Sequence, residues 1–257
     1  PPFLILAVGD KLPQIKLFSS GVMLRSRKSF SGVFTAYDPD IEYLPNGVDI
    51  KRFSHGDGKA FRKAYGIPED RFVCLTMARL DVQKNQLGLI QQLPLLLQQN
   101  PQIHLLFIGP VTSRSYADSL KSEAERLGVG DHLTIIEGLS YRDQSLVDAY
   151  YAASCFVLPS LHEPFGMVVL EAWASGLPVA VSDRGGLSAL VEEDKTGLFF
   201  DPSAPVSDPK SIWSVLGRLS IDSPLQESLG KAGLKLASES YSWDIITTRL
   251  MAIYQRV

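Results

Sequence analysis

From about Arg71 to Phe200 the chain repeats one pattern: a short apolar run, a turn signal, then a helical stretch. Phe72–Ala78, Ile103–Ile108, Leu133–Ile136, Phe156–Leu158, Pro178–Val181 and Gly197–Phe200 read as strands. Between them, Asn85–Gln99, Ser115–Leu127, a stretch capped by Ser140 and running to about Ala153, Phe165–Ala174 and Leu187–Val191 read as helices. Strands alternating with helices imply crossover units and a parallel sheet. The strands are continuous apolar runs, as expected when helices cover both sheet faces. The expectation is an α/β fold: a doubly wound parallel sheet of about six strands over roughly residues 71–200. Pro94 lies inside the Asn85–Gln99 stretch and predicts a kink or a split there.

The rest of the chain departs from this pattern. After Asp201-Pro202 comes a loop rich in Pro and Ser, then two helical stretches, Leu225–Glu239 and Trp243–Arg256. Residues 1–45 hold two strands and loops, too little for a second doubly wound domain. With 257 residues, 45% of them hydrophobic and 21% charged, the chain can bury a full core without staples and is neither disordered nor fibrous. Cys74 and Cys155 both sit in apolar runs and read as buried thiols of a reducing compartment; two cysteines cannot build a disulfide framework or a four-cysteine zinc site. A net charge of −3 argues against a general grip on nucleic acid. The apolar run from Phe3 to Val8 is about a third of the ~20 residues of a membrane span, and it lacks the flanks of a signal peptide. A soluble, cytoplasmic chain is expected. The short basic cluster Arg25, Arg27 and Lys28 reads as a solvated loop or as a surface for an anionic acceptor or lipid.

Several chemistries lack their residues. There is no Gly-x-Gly-x-x-Gly after a strand, no phosphate loop ending in Gly-Lys-Ser/Thr, and no Gly-x-Ser-x-Gly elbow. The histidines, His55, His104, His132 and His162, lack metal-ligand spacing, and His104 and His132 read as polar residues opening strands. Asp38-Pro39-Asp40 copies an Asp-x-Asp metal site but also reads as a plain turn.

What remains is the carboxyl edge of the sheet, where open α/β sheets bind ligands. The predicted strands end there in Arg79, Gly109, Gly138 and Pro159-Ser160. The stretch Ser160-Leu161-His162-Glu163-Pro164-Phe165-Gly166-Met167-Val168-Val169-Leu170-Glu171-Ala172 follows one strand and opens a helix near Phe165, with Pro164 suited to a helix start. Gly166 leaves room for an anion at the free N–H groups, Glu163 stands just before the helix, and Glu171 lies on its second turn. A phosphate at the backbone with hydroxyls held by the glutamates would fit this layout. So would a Glu163 cap with Glu171 paired to a surface lysine. Arg79 and Lys84, five residues apart at the same sheet edge, suit a diphosphate as planar fork and point charge; ordinary loop charges would also account for them. Taken together, cations, a bare helix N-terminus and carboxylates describe a nucleoside diphosphate-sugar site.

Glu163 to Glu171 is a Glu-x7-Glu motif in the form E-P-F-G-M-V-V-L-E-A, followed by A-S-G-L-P-V-A-V-S-D-R-G-G and T-G-L-F-F-D-P. With P-N-G-V-D at 45–49 and R-L-x-x-x-K at 79–84, the chain resembles, over about residues 41–257, the C-terminal half of a retaining glycosyltransferase of the GT-B fold, family 4 (glycosyl transferases group 1). The resemblance implies a Rossmann-like donor-binding domain at 46–240, a remnant of the N-terminal acceptor domain with its linker at 1–45, and a helix at 241–257 crossing back towards the acceptor domain. Exposed apolar residues on that helix would follow. It implies Arg79 and Lys84 on the donor diphosphate and Glu171 on the ribose hydroxyls. Glu163, with the backbone of Phe165, Gly166 and Met167, would hold the transferred sugar. The amides of Met167 and Val168 would lie near the phosphates, and the base against Gly138-Leu139. Glu163, Arg79 and Lys84 would be the catalytic groups of a hexosyltransferase acting with retention. No metal or other cofactor is implied, and the fragment alone would be inactive in transfer. Members commonly carry glycine where Ala78 stands. The base, the sugar and the acceptor, lipid-linked or other, are not legible; a lipid-linked acceptor would bring the full-length protein to a membrane surface through its N-terminal domain. A non-catalytic nucleotide-binding module and a GT-B epimerase are the alternatives. A pyridoxal-dependent phosphorylase would need a Schiff-base lysine whose context is not evident.

Overall fold

The computed structural model describes Ile5–Leu6, Gln14–Phe18, Gly21–Arg25 and residues 41–255, with side chains from residue 44 onward. Asp38-Pro39-Asp40, Arg27, Lys28 and the side chain of Arg25 lie outside the described residues. Six strands form the parallel sheet: β5 (Phe72–Met77), β6 (Ile103–Ile108), β7 (Leu133–Ile136), β8 (Cys155–Leu158), β9 (Val179–Ser182) and β10 (Leu198–Phe200). Their order is β10-β9-β8-β5-β6-β7 and every pairing is parallel. This is the doubly wound sheet that the alternation predicts. The order reverses direction between β8 and β5, so the crevice outside their carboxyl ends is the switch point where such sheets take ligands.

The two-residue period of β5 divides the core. Val73, Leu75 and Met77 face one layer with α1 (Gly58–Ala64), α4 (Gln144–Ala152), α5 (Met167–Ala174) and α6 (Leu187–Leu190). Cys74 faces the other, with α2 (Gln86–Gln99), α3 (Arg114–Arg126) and α7 (Ile212–Ile221). Thr76, fully buried on that strand, is satisfied by donating to the Val157 carbonyl at 2.8 Å. Cys74 and Cys155 are free, buried and in register on adjacent strands, with sulfurs 3.6 Å apart. α8 (Ser223–Ser240) contributes Leu229 to one layer and Ala237 to the other. Gly230 and Gly233 let it approach closely; a Cβ there would fall 2.3 Å from the Gly176 carbonyl oxygen and 2.1 Å from the Trp173 ring.

Several local expectations are corrected. α2 runs as one helix through Pro94, which therefore does not split it. α4 begins at Gln144, and its cap is Asp143, whose carboxylate accepts from the Ser145 N–H at 2.9 Å, rather than Ser140. α5 begins at Met167, two residues later than expected, because Gly166 is left-handed (φ +93°) and occupies the N-cap. Strands β1 (Ile5–Leu6), β2 (Gln14–Phe18), β3 (Gly21–Arg25) and β4 (Ile41–Pro45) pair antiparallel in that order, four strands where two were expected. The P-N-G-V-D segment after β4 meets the start of α9 (Trp243–Gln255): Val48 N–H donates to the Tyr241 carbonyl at 2.8 Å and Trp243 N–H to the Val48 carbonyl at 3.2 Å. α9 also packs Ile253 on Leu44, and it leaves Trp243 and Met251 about half exposed.

Candidate functional site

At the switch point the loops after β5 and β8 come together. Asp81 caps the 3-10 turn Val82–Lys84 by accepting from the Gln83 N–H at 2.8 Å. Gln86, wholly buried, donates to the Arg79 carbonyl at 2.8 Å and pins the start of that loop. The end of β6 supports it from beside: a Cβ on Gly109 would fall 1.8 Å from the Ala78 carbonyl oxygen. The bare Gly109 thus leaves room for the backbone of Ala78 and Arg79. The Gln83 carbonyl accepts from the Leu161 N–H at 2.8 Å, joining this loop to the one after β8.

The β8 loop is held just as closely. The Glu163 carbonyl accepts from the Gly186 N–H at 2.8 Å, and side chains at Gly185 and Gly186 would meet the Glu163 and Pro164 carbonyl oxygens at 2.4 and 2.1 Å. That contact explains the paired glycines of S-D-R-G-G. Glu163 is therefore fixed at a defined place, 9% exposed, with its carboxylate accepting from Lys84 Nζ at 2.7 Å. The two residues predicted for separate tasks, diphosphate and sugar, form one largely shielded ion pair. Arg79 stands at its edge, half exposed, with Asp81 at 3.6 Å.

Arg79, Lys84, Glu163, Phe165, Gly166, Met167 and Val168 line one hollow of about 300 Å³ with Met77, Ala78, Leu158 and Pro164. The first-turn N–H groups of α5 open beside it, and Met167 is half exposed there. Gly166 is buried, and a Cβ on it would also strike Leu187 at 2.7 Å.

Glu171 lies on the second turn of α5, as expected, but its partner is not a lysine. It accepts from the hydroxyl of Tyr150, a fully buried residue of α4, at 2.6 Å. Burial raises the Glu171 carboxyl above its ordinary value, while the Tyr150 hydroxyl and the nearby Arg52 charge oppose the rise. Burial and the Glu171 charge hold the Tyr150 phenol well above its ordinary value. Gly138 (φ +101°) turns the chain after β7, Leu139 packs on the core, and the Tyr141 that follows is an electrostatic neighbour of Glu171. Arg52, Tyr150 and Tyr141 are the site neighbours that the sequence reading missed. They carry no motif, and only the packing of the 3-10 turn Arg52–Ser54 and α4 against α5 brings them in.

A doubly wound sheet with this cleft at its switch point is the C-terminal domain of the GT-B fold. The chain belongs to the family glycosyl transferases group 1, whose model matches residues 57–235. It is 30% identical over 225 residues to the D-inositol 3-phosphate glycosyltransferase of Streptomyces scabiei, covering 84% of this chain and 49% of that protein. Among solved structures, HepE from Anabaena in complex with UDP and glucose superposes with a TM-score of 0.72 at 22% identity, over 83% of this chain and 56% of HepE. Sucrose-phosphate synthase from Thermosynechococcus elongatus gives 0.66 at 29% identity, over 83% and 51%. The chain spans about half the length of the curated relatives it matches. Among the described residues no helix is long and apolar enough to cross a membrane.

Proposed function

We propose that this chain is the donor-binding part of a glycosyltransferase that takes a sugar from a nucleoside diphosphate-sugar and transfers it with retention of anomeric configuration. The observation that carries the reading is the meeting of Arg79, Lys84, Glu163 and the start of α5 in one hollow at the switch point, with Glu171 one turn further along the same helix. The diphosphate lies against Arg79, Lys84 and the Met167 and Val168 amides. Glu163 holds the sugar, Glu171 the ribose hydroxyls, and Gly138-Leu139 the base. Donor binding is an exchange: the diphosphate takes over Lys84, and sugar hydroxyls take over the Glu163 carboxylate. The cations and the N–H groups of α5 then neutralise the charge that develops on the leaving diphosphate, which is the main catalytic contribution of this half. A metal is not required for that neutralisation. HepE, solved with UDP and with UDP-glucose, supports a donor of this class. Calorimetric titration with UDP, GDP, ADP and their common sugars tests the reading: at least one nucleotide is expected to bind, its sugar form with additional affinity. Absence of binding to all of them would overturn it.

A further inference from the structure

We propose that Arg52 is a positioning residue for the nucleotide end of the site, tethering the Gly138–Asp143 loop to the start of the domain and setting a positive charge beside Glu171. The inference rests on the donor-site reading above. Arg52 follows the P-N-G-V-D segment and begins the 3-10 turn Arg52–Ser54. Its Nη2 donates to the Tyr141 carbonyl and, at 3.3 Å, to the Asp143 carbonyl, groups about ninety residues away in sequence. The guanidinium carbon lies 4.7 Å from the centroid of the Tyr141 ring, so one side chain holds both the backbone and an exposed aromatic of this loop. Hydrogen bonds inside the loop, such as Asp143 N–H to the Ser140 carbonyl, are local and cannot fix its place over the sheet edge.

The turn that carries Arg52 is itself anchored at the ribose end. Phe53 is fully buried with its ring edge-on to Tyr150 at 5.5 Å, and its carbonyl accepts from the Tyr151 hydroxyl at 3.0 Å. Tyr150 in turn donates to Glu171. Tyr150 from α4 contacts Glu171 directly, and the Arg52 charge on the turn, held against Tyr141 of the loop, opposes the rise that burial gives the Glu171 carboxyl. The Arg52 Nε is buried with no hydrogen-bond partner among the described residues, so the polar hold on the loop runs through Nη2. A carboxylate that is to accept two ribose hydroxyls must be ionised, and a neighbouring guanidinium favours that form.

The test compares the unaltered chain with Arg52→Met, Arg52→Lys and Glu171→Gln, titrated with UDP, GDP and ADP and with inorganic pyrophosphate across pH. Pyrophosphate reports only on Arg79, Lys84 and the start of α5. Arg52→Met is expected to weaken the nucleotide that binds by about tenfold, the scale of a lost charge-assisted hydrogen bond, and to leave pyrophosphate unchanged. The part of the pH profile that Glu171→Gln abolishes should move to higher pH in Arg52→Met and stay in place in Arg52→Lys, which keeps the charge. Arg52→Lys should still lose affinity severalfold because it lacks the fork. Equal loss of nucleotide and pyrophosphate, or unchanged nucleotide affinity in either variant, would overturn the inference while the donor reading stands. If Arg52→Met does not fold, Arg52→Lys decides alone. If the unaltered chain binds no nucleotide, the donor reading falls and the inference with it.

Discussion

Replacing Glu163 with Gln should make this chain less stable and yet a better ligand for pyrophosphate. The substitution keeps the volume of the side chain and removes the charge facing Lys84 Nζ at 2.7 Å. Side chains in the pair are 14% and 12% exposed, well shielded but not sealed. Breaking a buried pair by neutralising one partner costs about 3–5 kcal/mol, whereas an exposed pair is worth about 0–1. Discounted for its residual solvent, this pair should cost about 2 kcal/mol when broken, mostly because Lys84 stays behind without a counter-charge. At roughly 2–4 °C per kcal/mol for a chain this size, the melting temperature should fall by about 4–8 °C. An anion beside Lys84 restores what the substitution removed. Pyrophosphate should therefore bind Glu163→Gln several times more tightly than the unaltered chain and recover much of the lost melting temperature. Differential scanning fluorimetry with a pyrophosphate titration reads both effects. Weaker pyrophosphate binding in the variant, or an unchanged melting temperature, would refute the reasoning, because either result would mean that Lys84 and Glu163 do not hold each other in the empty cleft.

Arg79→Ala should weaken nucleoside diphosphate binding by ~1.5–3 kcal/mol with little change in stability, since Arg79 is half exposed and its ion-pair partner Asp81 is 3.6 Å away; calorimetry and thermal melts check the two halves. His104 is 3% exposed, and burial, with Arg71, His132 and Arg62 nearby, lowers its pKa from 6.5 to about 4. The unfolded chain binds this proton and the folded chain does not, so stability should fall as pH drops from about 6.5 towards 4, by up to about 3 kcal/mol, and then level off. Denaturant titrations over that range should show the slope, and His104→Gln should flatten it.

The parallel sheet was legible because every one of its strands is a short apolar run closed by its own turn signal. Phe72 to Phe200 needed no long-range information. The short strands of residues 1–45 were harder, since Gln14–Phe18 and Gly21–Arg25 are set as strands by pairing with each other. The helix Ile212–Ile221 was hidden behind the Pro- and Ser-rich loop and by Gly217 in its middle. A Cβ there would meet the amide end of the Gln99 side chain of α2, which would have to turn aside. At the site, the residue types and the sheet edge could be read from motifs. The pairing of Lys84 with Glu163, 79 residues apart, could not, nor could the burial of Tyr150 behind Glu171. Such partners are set by how helices α4 and α5 and two loops pack, which has no local signature.

On the proposed function, α5 reads a nucleotide along its length, phosphates at its start and ribose at Glu171. Competitive calorimetry of a ribonucleoside diphosphate against its 2′,3′-dideoxy analogue, on the unaltered chain and on Glu171→Ala, tests it most directly. The unaltered chain should prefer the ribo form. Glu171→Ala should lose that preference by weakening the ribo form alone, with the dideoxy affinity scarcely changed. Equal affinity for both forms in the unaltered chain, or equal weakening of both in the variant, would contradict it and leave Glu171 as a buried partner of Tyr150 that supports the fold and does not touch the donor.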